Sequence, residues 1–341
     1  VRVAFDAQLS VGTATGIGEY ATGLSAALRR RGCDLVELRE PGLDPWRFDR
    51  RVLWDQVLLP SRARRSRAQL LHCPGGTMPW SAPIPVVVTV HDLAWLHVQG
   101  HARAYARWYF GRFALARYAY AAAIVADSEF SAGELRDAMP HRAAPIRVVY
   151  PGVAHEFSTI ARAGGDGRTI LAVGTVEPRK NLAFLVRLLT RWPHARLVSV
   201  GPQTPYAREC TVLAQRLGVA QRVELRGYVA RDEVLELYRT AAVAAVPSSY
   251  EGFGYAAAQA LCAGLPCVVS DRSSLPEVAG GQAEIASLDD DAHWTAAVQT
   301  ALEGRRDAPA AAARSSAVQR FSWDAAAAVM EEVYRAALAR V

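Results

Sequence analysis

The most constraining feature of this chain is a rhythm that runs twice. Short apolar runs of strand length alternate with helical segments, and each run closes on a polar or glycine-rich turn. In the first half the runs are residues 1–7, 70–75, 85–92, 122–128 and 146–152, with helices expected over 16–32 and 101–121. Apolar strands joined by helices build a mainly parallel sheet covered on both faces. Glycine and charge interrupt the pattern at 160–168, which reads as a linker. The rhythm then restarts with TILAVGT, ARLVSVG, VELRG, AVAAVPS and PCVVSD, separated by helices over 180–191, 205–217, 231–240 and 254–263. The expectation is an α/β chain with domains over 1–160 and 169–322. A final amphipathic helix, 323–341, either caps the second domain or crosses back to the first. Two open sheets in one chain hold ligand between them, at the C-terminal ends of their strands.

Composition narrows the function classes. Hydrophobic residues make up 51% and charged residues 21% of the chain, the balance of a globular protein. The net charge of +6 suits an anionic ligand but is modest for nucleic acid, and no aromatics interleave with the densest basic cluster, Arg62 to Arg67, to form a stacking platform. The densest basic cluster is Arg62, Arg64, Arg65 and Arg67. It reads as a solvated basic loop or as a contact for an anionic partner or membrane surface. Five scattered cysteines fit a reducing cytoplasm better than a disulfide framework. No leader pattern and no transmembrane run is read, so a cytoplasmic protein is expected.

Three places could bind an anion. Gly12 with Gly16 and Gly18 opens a helix after the first strand, where amides and dipole favour phosphate. The spacing is not the dinucleotide fingerprint, and a tight turn without ligand explains it equally. In VGTVEPRKN, Gly174 ends a strand, and Arg179 and Lys180 stand at the start of the next helix. Two cations there oppose the helix dipole unless an anion is shared, which suggests a diphosphate clamp. In SSYEGFGYAAAQ, Glu251 precedes Phe253, Gly254 and Tyr255, whose amides open a helix carrying Gln259. Glu251 is either a local cap or an acceptor for ligand hydroxyls. Gln259 is either a ligand contact or a buried structural amide. In the first domain His91 ends a strand, where it could meet a sugar hydroxyl or carry a proton. Its alternative is a bond to Asp92 or a loop carbonyl. His72 reads as structural. Trp46, Trp54, Trp80, Trp95 and Trp108 form either an acceptor wall or core. Metal-ligand and nucleophilic-serine motifs are absent.

In order along the chain, GIGEY, HDL, ADSEFS, YPGV, VGTVEPRKN, PSSYEGFG and GLPCVVSDRSSLPEV resemble the retaining GT-B glycosyltransferases of family 4, the glycogen-synthase-like group. The resemblance covers nearly the whole chain. It implies two Rossmann-like domains with mainly parallel sheets facing across a cleft, the second holding a nucleotide sugar and the first most of the acceptor site. It assigns Arg179 and Lys180 to the diphosphate, Gly16 and Gly18 to a loop over the phosphates, and His91 and Glu251 to the donor sugar. Phe253, Gly254 and Tyr255 fall where the family contacts phosphate and sugar, beside the strand-ending Gly174. The family's second motif glutamate, a ribose ligand, is Gln259 here. This departure predicts weaker or re-angled nucleotide binding.

The resemblance implies a hexosyl- or pentosyltransferase that moves sugar from UDP, with GDP possible, to a hydroxyl of a small molecule, natural product or saccharide. Attack on the leaving-group side is the expected route, without a divalent metal. The alanine- and arginine-rich composition makes antibiotic or polysaccharide assembly a suitable setting. A nucleotide-sugar epimerase and a non-catalytic nucleotide-binding protein are the rival readings.

Overall fold

The computed structural model describes residues 1–11, 16–98, 104–139, 144–162, 164–304 and 311–340. Gly12, and residues 101–103 of the expected helix, lie outside them. The chain divides into two compact units. One contains residues 1–152 and 321–341, and the other 153–320.

The first unit is built on six parallel strands: β1 (Arg2–Asp6), β2 (Asp34–Leu38), β3 (Leu70–Cys73), β4 (Val86–Val90), β5 (Ala123–Ala126) and β6 (Ile146–Val148). Their order is β2-β1-β3-β4-β5-β6, and every pairing is parallel. The sequence reading missed β2, whose alternating DLVEL carries two acids at the sheet edge. The helix Gly16–Arg30 follows β1. It stops where Gly32 takes φ +84° and Cys33 N–H returns to the Leu28 carbonyl, a left-handed helix end that glycine allows.

Residues 48–65 form another helical stretch, with a wide π-helical turn at Trp54–Leu58. Pro60 explains the turn: it lacks an N–H, and its ring crowds the carbonyl four residues back. The basic cluster is therefore largely on a helix rather than in the solvated loop expected. Arg62 pairs with Glu40.

The helix Trp323–Leu338 belongs to the first unit. Its Ala327, Met330 and Tyr334 share a buried core with Val3, Phe5, Leu24 and Leu28. Its exposed side forms ion pairs from Arg30 to Asp324 and from Arg31 to Glu331. Gly23 and Gly152 make room for the Trp323 ring, since a Cβ on either would lie under 2.5 Å from it.

The second unit repeats the plan with β7 (Thr169–Val173), β8 (Arg196–Val200), β9 (Val223–Leu225), β10 (Val243–Val246), β11 (Cys267–Ser270) and β12 (Glu284–Ala286). Their order is β12-β11-β10-β7-β8-β9, again all parallel. The short β12 and the helix Asp291–Leu302 went unread in the sequence. The unit begins at Val153, ahead of the expected boundary at 160. The helix His155–Thr159 explains this, since it buries Phe157 edge-on against Tyr238 at 5.0 Å.

Candidate functional site

The strand order of the second unit fixes where a ligand would sit. The chain runs outward from β7 through β8 to β9, then returns to β10 on the other side of β7. The crevice outside the carboxyl ends of β7 and β10 is therefore the topological switch point, the usual ligand position in such sheets.

Three neighbouring strands end in glycine there. Gly174, Gly201 and Gly227 have φ of +132°, +142° and +68°. A Cβ on Gly201 would lie 2.2 Å from the Gly174 carbonyl oxygen, so the two backbones touch. A Cβ on Gly174 would stand 3.6 Å from Lys180 Nζ, so this bare backbone leaves room for the ammonium. Of these glycines the sequence reading singled out only Gly174. The signal for the others was present, as ARLVSVG and VELRG both end in glycine after an apolar run.

Arg179 and Lys180 lie on a single 3-10 turn, Pro178–Lys180, before the helix Leu182–Leu188. They were expected at the start of a helix over 180–191. The left-handed Asn181, φ +54°, separates turn from helix. The carboxylates that offset the two cations belong to this chain. Arg179 pairs with Glu177 at 2.7 Å and Glu251 at 3.1 Å, and Lys180 with Glu251 at 2.5 Å. An external anion is therefore not needed to explain why the cations sit there, which corrects the electrostatic argument made from sequence.

Glu251 follows β10 and is 5% exposed. Its Oε1 accepts from Lys180 and from Ser248 Oγ at 2.7 Å, and its Oε2 accepts from Arg179. Its N–H donates to Ser273 Oγ, and its carbonyl accepts from Ser274 Oγ. Burial alone would raise its pKa. The charges of Lys180 and Arg179, with the Lys180 and Ser248 hydrogen bonds, outweigh burial and hold it below the ordinary glutamate value. Glu251 thus orients both cations. A carboxylate has about four acceptor positions, so Oε2 keeps capacity for one more donor.

Phe253 and Gly254 lead into the helix Tyr255–Ala263, whose N-terminus has no side-chain cap. Gly254 has φ +96°, and a Cβ there would meet Leu275 at 2.8 Å. Phe253 and Tyr255 pack edge to face at 5.2 Å. Gln259 lies further along this helix, 9% exposed, and its Oε1 accepts from Tyr238 Oη at 3.0 Å. The buried-amide reading therefore holds for its oxygen. Its NH2 group can only donate.

In the first unit, His91 Nδ1 is 2.6 Å from Asp127 Oδ2, and Nε2 is 2.7 Å from the Pro74 carbonyl. Both partners are acceptors, an arrangement that favours hydrogen on both ring nitrogens and so the cationic imidazole. Burial opposes that charge. The Asp127 charge and hydrogen bond, then the Pro74 carbonyl, outweigh it and raise the pKa above 6.5. The sequence reading named Asp92 or a loop carbonyl as partners. The carbonyl is right, but the carboxylate is Asp127, from the end of the neighbouring strand β5.

His72 is buried, bonded to Tyr334 and Thr89, and pushed down to about 3 by burial and by the His91 charge. It is structural and neutral. Gly16 is exposed and Gly18 buried at the start of their helix. Among the tryptophans, Trp54 is core, while Trp46, Trp80 and Trp108 are exposed. Among the described residues no cluster of three or more histidine, cysteine or acidic side chains could hold a metal, and no helix is long and apolar enough to cross a membrane.

Comparison with known proteins bears on both units. The family profile described as Glycosyltransferase Family 4 matches residues 14–157, and that described as Glycosyl transferases group 1 matches residues 167–304. A D-inositol 3-phosphate glycosyltransferase of Xylanimonas cellulosilytica is 37% identical over 183 residues, 51% of this chain and 44% of that protein. An MMP alpha-(1->4)-mannosyltransferase of Mycolicibacterium hassiacum is 31% identical over 192 residues, covering 53% and 46%. The matched stretch thus spans less than half of these curated relatives.

Among solved structures, sucrose-phosphate synthase from Thermosynechococcus elongatus superposes with a TM-score of 0.78 at 19% identity over 100% of both chains. Anabaena HepE, solved with UDP and glucose, gives 0.72 at 16% identity over 98% of this chain and 99% of that one. A glycosyltransferase involved in avilamycin A biosynthesis gives 0.68 at 18% identity over 100% and 99%. At these identities the likeness is one of fold. With one glycosyltransferase profile on each unit, the chain is similar to the family 4 and group 1 glycosyltransferases, and it shares their two-sheet GT-B-like fold along its whole length.

Proposed function

We propose that this protein is a retaining glycosyltransferase that moves a sugar from a nucleoside diphosphate, UDP by preference, to a hydroxyl of a small-molecule, natural-product or saccharide acceptor. The observation that carries the reading is the Arg179–Lys180–Glu251 constellation at the β7/β10 switch point, beside the glycine-ended strands and the helix N-terminus that Gly254 leads into.

Breaking the donor bond leaves negative charge on the diphosphate. Lys180 has three donor hydrogens, and among the described residues Glu251 is its one acceptor, so it can meet a phosphate oxygen while Glu251 holds it in place. Arg179 and the amides of Phe253, Gly254 and Tyr255 stabilise the same charge without reorganising. The departing phosphate oxygen takes the acceptor proton on the face that the nucleotide leaves. These cations supply charge stabilisation without a divalent metal. The UDP preference draws on HepE, solved with UDP and glucose. The cytoplasmic setting in this proposal draws on five cysteines scattered along the sequence without a disulfide framework.

The test is release of UDP from a panel of UDP-sugars with candidate acceptors. Lys180→Ala is expected to lower turnover by about a hundredfold, the scale of one lost oxyanion donor. Wild-type turnover in a folded Lys180→Ala protein would remove this site from the chemistry.

A further inference from the structure

The first unit carries a face that sugar transfer does not explain. Leu53 and Val57 project from the 48–65 helical stretch, 44% and 55% exposed. Trp80, Trp108, Phe110 and Tyr120 are 65%, 56%, 38% and 63% exposed. The aromatic side chains are joined rather than scattered. Phe48 packs on Tyr105 and Phe110, while Trp80 and Trp108 both pack against Phe113 at 5.8 and 5.5 Å. The Arg117 guanidinium lies over the rings of Trp80 and Tyr120 at 4.9 and 4.5 Å. The two helical segments are locked together because Gln56 donates to Tyr109 Oη and accepts from Trp80 N–H. A connected exposed apolar face of this kind marks an interaction surface.

Its charge says what kind. Residues 104–120 contain Arg107, Arg112 and Arg117 and no acid. Residues 56–69 contain Arg62, Arg64, Arg65 and Arg67 and no acid. Between residues 46 and 55 the acids are Asp49, paired with Arg47, and the buried Asp55. Tryptophan and tyrosine with their apolar bodies outward, flanked by arginine, are what a helix needs to lie in the headgroup region of a bilayer. A second copy of the chain fits poorly, because a two-fold contact through this face would set arginines against arginines.

We infer that this face docks the first unit on an anionic lipid surface, with the aromatic side chains at headgroup depth and Arg64, Arg65, Arg107 and Arg112 against lipid phosphates. The inference stands apart from the sugar-transfer reading, since its readout is partition and not activity.

The experiment is co-sedimentation of the full chain with vesicles of phosphatidylglycerol mixed with phosphatidylcholine, and with phosphatidylcholine alone. Binding is expected only to the mixed vesicles, weakening as salt is raised. Arg64→Glu with Arg65→Glu is expected to lower the partition coefficient about tenfold or more, since each basic residue near such a surface contributes about a fivefold factor. Val57→Asp and Trp108→Ser are surface changes expected to lower it too, with unchanged melting temperature. Brominated lipid should quench tryptophan emission in the wild type and less in Trp108→Ser. Equal binding to phosphatidylcholine alone, binding untouched by these substitutions, or no vesicle binding overturns the inference. Self-association abolished by Trp108→Ser, without vesicle binding, would assign the face to a second copy instead.

Discussion

Gln259 carries the sharpest residue-scale consequence. Its Oε1 is committed to the Tyr238 hydroxyl, so toward a ribose it offers N–H donors and the hydroxyl must accept. A glutamate there could keep the Tyr238 bond with one oxygen and offer the other as a charged acceptor. Gln259→Glu is therefore expected to lower the donor Michaelis constant. A charge-assisted hydrogen bond contributes about 1.5–3 kcal/mol, so the change should be about tenfold or more. Steady-state kinetics with a UDP-sugar checks this, and an unchanged constant would confine Gln259 to holding Tyr238.

His91 gives a pH dependence. Its folded pKa lies above 6.5, so its protonated form adds stability that is complete below 6.5 and lost as pH rises through the folded value. His72 acts in the opposite sense on the acid side. Its folded value is about 3, so the unfolded chain takes up the proton first and stability falls as pH drops below 6.5. The difference between wild type and Asp127→Asn isolates His91. The stability gap should be widest at pH 6 and should close at alkaline pH, as read by denaturant unfolding. A gap independent of pH would show that His91 is not held as a cation.

At the scale of elements, strand–turn–helix units were legible because their signals are local. Apolar runs, glycine ends and the helix periodicity set most boundaries to within two residues, as in Tyr206–Arg216 and Arg231–Thr240. What escaped included the short β2 and β12, the π-helical turn before Pro60, and the longer helix Asp291–Leu302. The touching ends of β7 and β8 belong here as well. Gly201→Ala would place a Cβ 2.2 Å from a backbone oxygen at φ +142°, in a region almost confined to glycine. It should cost the second unit about 1–3 kcal/mol or more. Gly227→Ala, at φ +68° with its nearest neighbour the tip of Gln203 at 3.6 Å, should cost about 1–2 kcal/mol. Denaturant unfolding of both variants makes the comparison, and equal costs would mean that the β7–β8 contact relaxes freely.

For the whole molecule, the last helix shows the limit of a linear reading. Its amphipathic pattern announced a buried face but did not say against which unit. The choice was made by long-range fit. Trp323 fills the space left by Gly23 and Gly152, and Tyr334 reaches the buried His72 at 2.7 Å.

By itself the sequence determined the two α/β units, the positions of most strands and helices, and the identity of the cations and carboxylate at the candidate site, because these follow from local periodicity and motif. Only the tertiary structure decided who partners whom. Glu251 meets Lys180 from 71 residues away, His91 meets Asp127 across 36, and Gln259 meets Tyr238 across 21. Such pairings depend on strand order, which brings β10 beside β7 and β5 beside β4. Strand order is set by the burial of whole sheets, not by any stretch of residues read alone.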